Sequence, residues 1–115
     1  MILKEGSRRI EVRMEIDNQA DDHRVRVLIP TPFVSENVVA DNQFGLITRP
    51  THESAMDVWE AEKWKEAPVP VYQLMNFAAL ENETGGMAIM TNGLREFEVI
   101  SSKSDEVRDL SLIHI

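Results

Sequence analysis

The stretch DNQADDHRVRVLIPT, residues 17–31, joins a polar cluster directly to an apolar run. Asp and Asn side chains in its first half can accept hydrogen bonds from backbone N–H groups two residues on, which is typical of turns. In HRVRVLI, residues 23–29, apolar and polar side chains alternate, and this period of two predicts a half-buried β-strand. Pro30 and Pro32 end that strand, because proline lacks the N–H group that a sheet ladder requires.

The alternation extends to both sides of this stretch. RRIEVRMEI, residues 8–16, alternates strictly, and it predicts a strand that pairs with residues 23–29 in a hairpin with a longer loop. Asn92-Gly93 predicts a two-residue hairpin turn, because a type I′ turn needs positive φ at both positions. The remaining pattern predicts strands at 38–40, 43–48, 71–80, 87–91, 94–100 and within 105–115, a turn at 81–86, and a long loop with a short helix at 50–70.

Short strands separated by turn signals predict an all-β protein, an antiparallel β-sandwich. The 115 residues predict a single domain over residues 1–115. With 12 basic and 20 acidic residues the net charge is −8, which argues against nucleic acid or an anionic membrane as a partner. No window approaches the length of a membrane helix, and the absence of cysteine and of an N-terminal signal favours a cytoplasmic location.

Potential catalytic groups are scattered along the sequence. His23, His52 and His114 show no HxH or HExxH spacing, so no metal site is predicted. Asp22 and His23 could act as a base and its orienting group, but adjacent strand residues point to opposite faces. A strand-end ion network of Asp22 with Arg24 and Arg26 is the simpler interpretation. We therefore predict no catalytic residue in this chain.

The loop aromatics allow two interpretations. Trp59, Trp64 and Tyr72 could stack on a sugar ring, as in a free-standing carbohydrate-binding module. The interpretation that we favour is that they cover the edge of the sandwich, because aromatic rings dominate cores and interfaces.

Three stretches together resemble one family. DNQADDHRVRVLIPT resembles the run in the C-terminal β region of glycoside hydrolase family 38 α-mannosidases, where a D-N-x-A-x-D-H-R turn continues as an R-V-x-x-P-T strand. ADNQFGLITRP, residues 40–50, resembles the strand that follows it. EAPVPVYQLMNFAAL, 66–80, and GGMAIMTNGLREFEVI, 85–100, resemble the family's next segment. The resemblance covers about residues 7–100 and looks nearest to bacterial enzymes of the mannosylglycerate hydrolase type.

The resemblance implies a non-catalytic part of a larger enzyme. It implies a sandwich of the galactose-mutarotase-like supersandwich type, here a fragment of a larger β domain that packs against a catalytic domain. Family members are retaining, zinc-dependent mannosidases, and none of their zinc or nucleophile motifs matches this chain, so zinc is expected in the catalytic domain of the parent. Arg49 falls where the family often places an arginine facing that domain, where its guanidinium could bind sugar hydroxyls or a charged aglycone, or could form an interface ion pair. Asp22, His23 and Arg24 are implied to form a corner at the substrate rim or domain interface.

Further expectations follow for the chain by itself. It should cleave no α-mannoside and hold no cofactor. Exposed strand edges and an interdomain face favour self-association. The alternatives to an enzyme fragment are a free-standing carbohydrate-binding module and a purely structural interaction domain.

Overall fold

The computed structural model describes residues 1–101 and 108–114, with side chains for residues 1–100. Its elements in chain order are β1 (Ile2–Leu3), β2 (Ile10–Glu11), β3 (Val25–Pro30), β4 (Asn37–Asn42), β5 (Gly45–Pro50), α1 (Ala55–Val58), β6 (Val71–Gln73), β7 (Phe77–Asn82), β8 (Gly85–Met90), β9 (Glu96–Ser101) and β10 (Arg108–His114). No helix among these elements has the length and apolar character needed to cross a membrane.

Two four-stranded antiparallel sheets make up most of the fold. The first has the strand order β3-β10-β9-β6, and the second has the order β5-β4-β7-β8. Apolar residues of both sheets pack into one core. The prediction of an antiparallel β-sandwich is therefore confirmed.

Alternation along the strands produces this core, because successive strand residues face opposite sides of a sheet. Within residues 1–100 its buried apolar residues are Val38, Ala40, Leu74, Ala78, Leu80, Phe97 and Val99. Phe97 of β9 lies opposite Tyr72 of β6, and their tilted rings are 5.7 Å apart between centroids. Such a tilted arrangement is favourable for aromatic pairs and fixes the edge strand β6 on its neighbour.

Several local predictions are confirmed. The two strand pieces predicted at 38–40 and 43–48 are β4 and β5, joined by the two-residue turn Gln43-Phe44. The turn at 81–86 joins β7 to β8, and the loop at 50–70 contains the short helix α1. The C-terminal strand is β10, while residues 105–107 and 115 of the predicted region lie outside the described residues.

The predicted strand at 71–80 is wrong as a single element. It divides into β6 and β7, which belong to different sheets, and Leu74, Met75 and Asn76 form the corner between them. Leu74 is buried in the core at this corner. Local alternation cannot reveal such a change of sheet, because both halves remain extended.

The two-residue hairpin predicted at Asn92-Gly93 is also wrong. This pair connects β8 of the second sheet to β9 of the first, so the strands on its two sides do not pair. Gly93 has a φ of 95°, but Asn92 is not among the described residues with positive φ, as a type I′ turn would need. The glycine instead allows a corner between the sheets.

The hairpin predicted between residues 8–16 and 23–29 is not formed. Within 8–16 only Ile10 and Glu11 are in a strand, and they pair with β1. The other predicted strand of that hairpin, β3, pairs instead with β10 over six residues. A ladder with a distant strand has thus replaced the local pairing, and the predicted burial of the 8–16 strand is wrong, since all its residues are exposed.

Candidate functional site

Arg49 lies on the edge strand of the second sheet. It is opposite the buried Val38 of β4, and cross-strand partners share a face, so its side chain starts on the core side of β5. Its Cζ atom lies 4.7 Å from the centroid of the Tyr72 ring. Tyr72 belongs to β6, the edge strand of the first sheet. The cation–π contact therefore joins the two sheets along one open side of the sandwich.

Glu53 completes this group at the start of the loop after β5. The Tyr72 hydroxyl donates a long hydrogen bond of 3.4 Å to Glu53 Oε2, while Glu53 Oε1 accepts the N–H of Ala55 at the start of α1. Burial raises the pKa of Tyr72, and the charge and hydrogen bond of Glu53 raise it further, whereas the Arg49 charge lowers it. We call Arg49, Glu53 and Tyr72 the Arg49 cluster.

The Arg49 cluster presents a guanidinium group that is half-buried and held by a ring. A guanidinium carries five N–H donors in a planar fork, and this fork can bind sugar hydroxyls or a carboxylate. The chemical capacity of the cluster is thus recognition of a polar or anionic group.

The other predicted rim residues lie elsewhere. Asp22, His23 and Arg24 are exposed in the segment before β3, where Asp22 has a φ of 53°. They form no ion pair or hydrogen bond with another described residue. The predicted ion network is wrong, because Arg26 Nη1 lies 2.7 Å from Glu98 Oε2 rather than near Asp22. That contact lacks hydrogen-bond alignment, so the attraction is between the charges.

The loop aromatics are not brought together as one platform. Trp64 is 43% exposed, and its Nε1 donates to Glu62 Oε2 at 2.9 Å. Trp59 follows α1 and is half-buried. Tyr72 contacts Phe97 and Arg49, and no ring contact joins it to either tryptophan in the described part of the chain.

Metal ligands do not converge in the part of the chain that the structure describes. It contains no group of three or more His, Cys, Asp or Glu residues placed to hold a metal ion. His52 Nε2 lies 2.7 Å from Asp57 Oδ2 in an exposed pair. His23 stands in the segment before β3, and His114 lies in β10, where only the backbone is described. The described residues therefore do not fit a zinc site.

Asp41 is a structural residue that the sequence analysis missed. Its Oδ1 accepts the N–H groups of Met75, Asn76 and Phe77 at 3.2, 2.8 and 2.9 Å, and its Oδ2 accepts Asn76 Nδ2 at 2.7 Å. Partial desolvation raises the pKa of Asp41, but these hydrogen bonds outweigh it and lower the pKa from 3.8 to about 2. Because the partners are 34 to 36 residues away along the chain, no local motif indicates this role.

A shallow depression of about 360 Å³ lies beside the β4–β5 turn. Its lining residues are Asn42, Gln43, Phe44, Gly45, Leu46, Ile47 and Gln73. Phe44 is fully exposed at the tip of the turn. The depression contains amide groups but no titratable side chain, so it offers no acid or base.

Comparisons with known proteins agree on one relationship. A family described as "Glycosyl hydrolases family 38 C-terminal domain" matches residues 1–114. A protein of Halalkalibacterium halodurans described as "Putative mannosylglycerate hydrolase" is 31% identical over 101 residues, which is 88% of this chain and 10% of that relative. The chain thus spans about a tenth of the curated relative that it matches. No solved structure matches the chain.

Proposed function

We propose that this chain, which belongs to the family of glycosyl hydrolases family 38 C-terminal domains, is the non-catalytic β domain of a larger hydrolase. In this proposal the domain supports a catalytic domain and forms part of the substrate rim, and the parent enzyme hydrolyses an α-mannosyl bond. The Arg49 cluster supports the proposal most directly, since it holds a recognition group at the side of the sandwich.

Arg49 is proposed to contact the substrate or the adjoining domain. The name of the relative refers to mannosylglycerate, whose glycerate part carries a carboxylate, and the guanidinium of Arg49 is suited to binding such a group. The proposed zinc of the parent would lie in its catalytic domain, because the described residues of this chain do not fit a metal site. A cytoplasmic location, supported by the lack of cysteine, is part of the same proposal.

Replacing Arg49 should impair the parent enzyme. Arg49→Ala removes charge-assisted hydrogen bonds worth about 1.5–3 kcal/mol, so we expect kcat/KM to fall roughly 10-fold or more. Arg49→Lys should recover only part of the loss, because lysine keeps the charge but not the fork. Steady-state kinetics with a mannosylglycerate-type and an uncharged aryl α-mannoside would show whether the anionic group matters. The control is Lys65→Ala, which removes one positive charge at an exposed position outside the cluster.

Unchanged kinetics in Arg49→Ala would remove the rim role from the proposal. The domain role itself is tested by the size of the native product in an extract of the source cells, detected with an antibody raised against this chain. We expect a band several times larger than 13.1 kDa. A band at 13.1 kDa would overturn the proposal and leave a free-standing protein.

A carbohydrate-binding module is the second candidate function, favoured by the exposure of Trp64. If Trp64 stacks on a sugar, titration with mannosides should quench the tryptophan fluorescence of the isolated chain, and Trp64→Ala should abolish the response. Trp59→Ala is the matched control, since that side chain is half-buried. A signal that does not respond to any mannoside would dismiss this candidate.

A further inference from the structure

The segment of residues 8–16, which we call the N-terminal arm, has an apolar face without a partner. Ile10, Val12, Met14 and Ile16 are 53% to 64% exposed, although their spacing places them on one face of an extended chain. None of the four belongs to the core of the sandwich. Contiguous exposed apolar side chains of this kind mark interaction surfaces.

The opposite face of the arm is suited to water. It carries Arg9, Glu11, Arg13 and Glu15. Arg13 Nη2 lies 2.8 Å from Glu15 Oε1, and Lys4 Nζ lies 3.1 Å from Glu11 Oε1. The charges are thus balanced on one face while the other is left apolar, which is the pattern of a strand that covers an apolar surface.

The size of the apolar face indicates which partner covers it. Four side chains bury at most a few hundred Å², whereas a stable association of two separate molecules buries about 800 Å² on each partner. A partner in the same polypeptide needs much less area, because tethering raises its effective concentration. The chain spans 10% of its relative, so a full-length protein of that size would have further polypeptide from which such a partner can come.

We infer that the N-terminal arm adds as a β-strand to a sheet edge supplied by the rest of the full-length polypeptide, with its apolar side chains packed on the core beneath that sheet. This inference rests on the proposed function, because it requires a longer parent protein. Docking by strand addition would satisfy the backbone of residues 12–16, which form no strand in the structure.

Hydrogen exchange of the arm in the isolated chain and in the full-length protein tests this inference. We expect the amides of Val12, Met14 and Ile16 to exchange almost freely in the chain alone, and about 100-fold slower or more in the full-length protein. The amide of Phe97 in β9 should be protected in both and serves as the internal control. Equal, fast exchange of the arm in both proteins would overturn the inference.

Paired substitutions separate docking from general stability. Val12→Asp with Met14→Asp should remove the protection in the full-length protein, yet leave the thermal midpoint of the isolated chain unchanged, because both side chains are already exposed there. Arg13→Gln with Glu15→Gln alters the charged face and should keep the protection. Arm protection that develops in the isolated chain with rising concentration would assign the face to a second copy and overturn the inference.

The outcomes also separate the inference from the proposed function. A protected arm together with normal kinetics of Arg49→Ala would support docking while removing the rim role. An unprotected arm together with impaired Arg49→Ala would overturn docking while leaving the rim role. A native product of 13.1 kDa would overturn both, since no further polypeptide would exist to cover the arm.

Discussion

Replacing Phe97 with alanine is expected to remove a large share of the free energy of unfolding of this domain. Phe97 is 0% exposed and is the largest of the fully buried side chains among residues 1–100. Phe→Ala in a core costs about 3–5 kcal/mol, while the whole free energy of unfolding of a small domain is about 5–15 kcal/mol. Part of this loss comes from the ring contact with Tyr72, because aromatic pairs of this kind are worth about 0.5–1.5 kcal/mol.

Urea unfolding followed by circular dichroism measures this loss. Phe44→Ala is the matched control, because the same side chain is removed from a fully exposed site. Its free energy of unfolding should change by no more than about 0.5 kcal/mol. Phe97→Leu should retain the fold with a smaller loss, so the series remains measurable if the alanine variant does not fold. An unchanged urea midpoint in Phe97→Ala would contradict the burial of Phe97 in the core.

The second large effect is expected at Asp41, as a dependence of stability on pH. Its carboxylate joins the end of β4 to the corner between β6 and β7 through hydrogen bonds to Met75, Asn76 and Phe77. A carboxyl whose pKa is lower in the folded chain stabilises the fold fully above its unfolded pKa, and that contribution is lost as the pH falls through the folded pKa. For Asp41 the window runs from 3.8 down to about 2.

Asp41→Asn should therefore be less stable than the wild type at pH 7, and the difference should shrink as the pH falls through this window. The amide also places an N–H group against Asn76 Nδ2, which is itself a donor. Thermal unfolding of both proteins between pH 7 and pH 2 measures the difference. Asp21→Asn, at an exposed site outside the corner, controls for the loss of one acidic charge. A difference that stays constant with pH would refute the role of the Asp41 carboxylate.

The local part of the fold follows from the sequence. The strands β3, β4 and β9 lie where alternation or apolar runs predicted them, because burial of one face requires a period of two. The turn at Glu83-Thr84 was also predictable, since Asn82 Oδ1 accepts the N–H of Thr84 at 2.8 Å and that of Gly85 at 3.2 Å. These interactions involve neighbours along the chain.

Changes of sheet were not predictable in this way. The Asn92-Gly93 pair has the composition of a hairpin turn, but the destination of β9 is decided by its pairing with β6 and β10. The break in residues 71–80 has the same origin, because Asp41 binds the corner from the end of a distant strand. In both places long-range strand pairing overrode the local conformational preference of the sequence.

The candidate site was predictable only in part. Arg49 and Tyr72 were both identified from the sequence, but as separate candidates for different roles. Their contact depends on β5 and β6 being the edges of two different sheets on the same side of the sandwich, which no local pattern contains. Glu53 was missed for the same reason, because its role comes from the Tyr72 hydroxyl rather than from a motif.

The position of β10 in the first sheet has a consequence during synthesis of the protein. β10 lies between β3 and β9, yet it is the last of these strands to leave the ribosome. Until residue 114 has emerged, β3 has no ladder partner among the strands that the structure describes, and β9 has an open edge. Such late, long-range closure slows folding and exposes strand edges to other nascent chains. A ribosome stalled before β10 should therefore carry a chaperone-dependent intermediate, with the second sheet able to pair and the first sheet still divided.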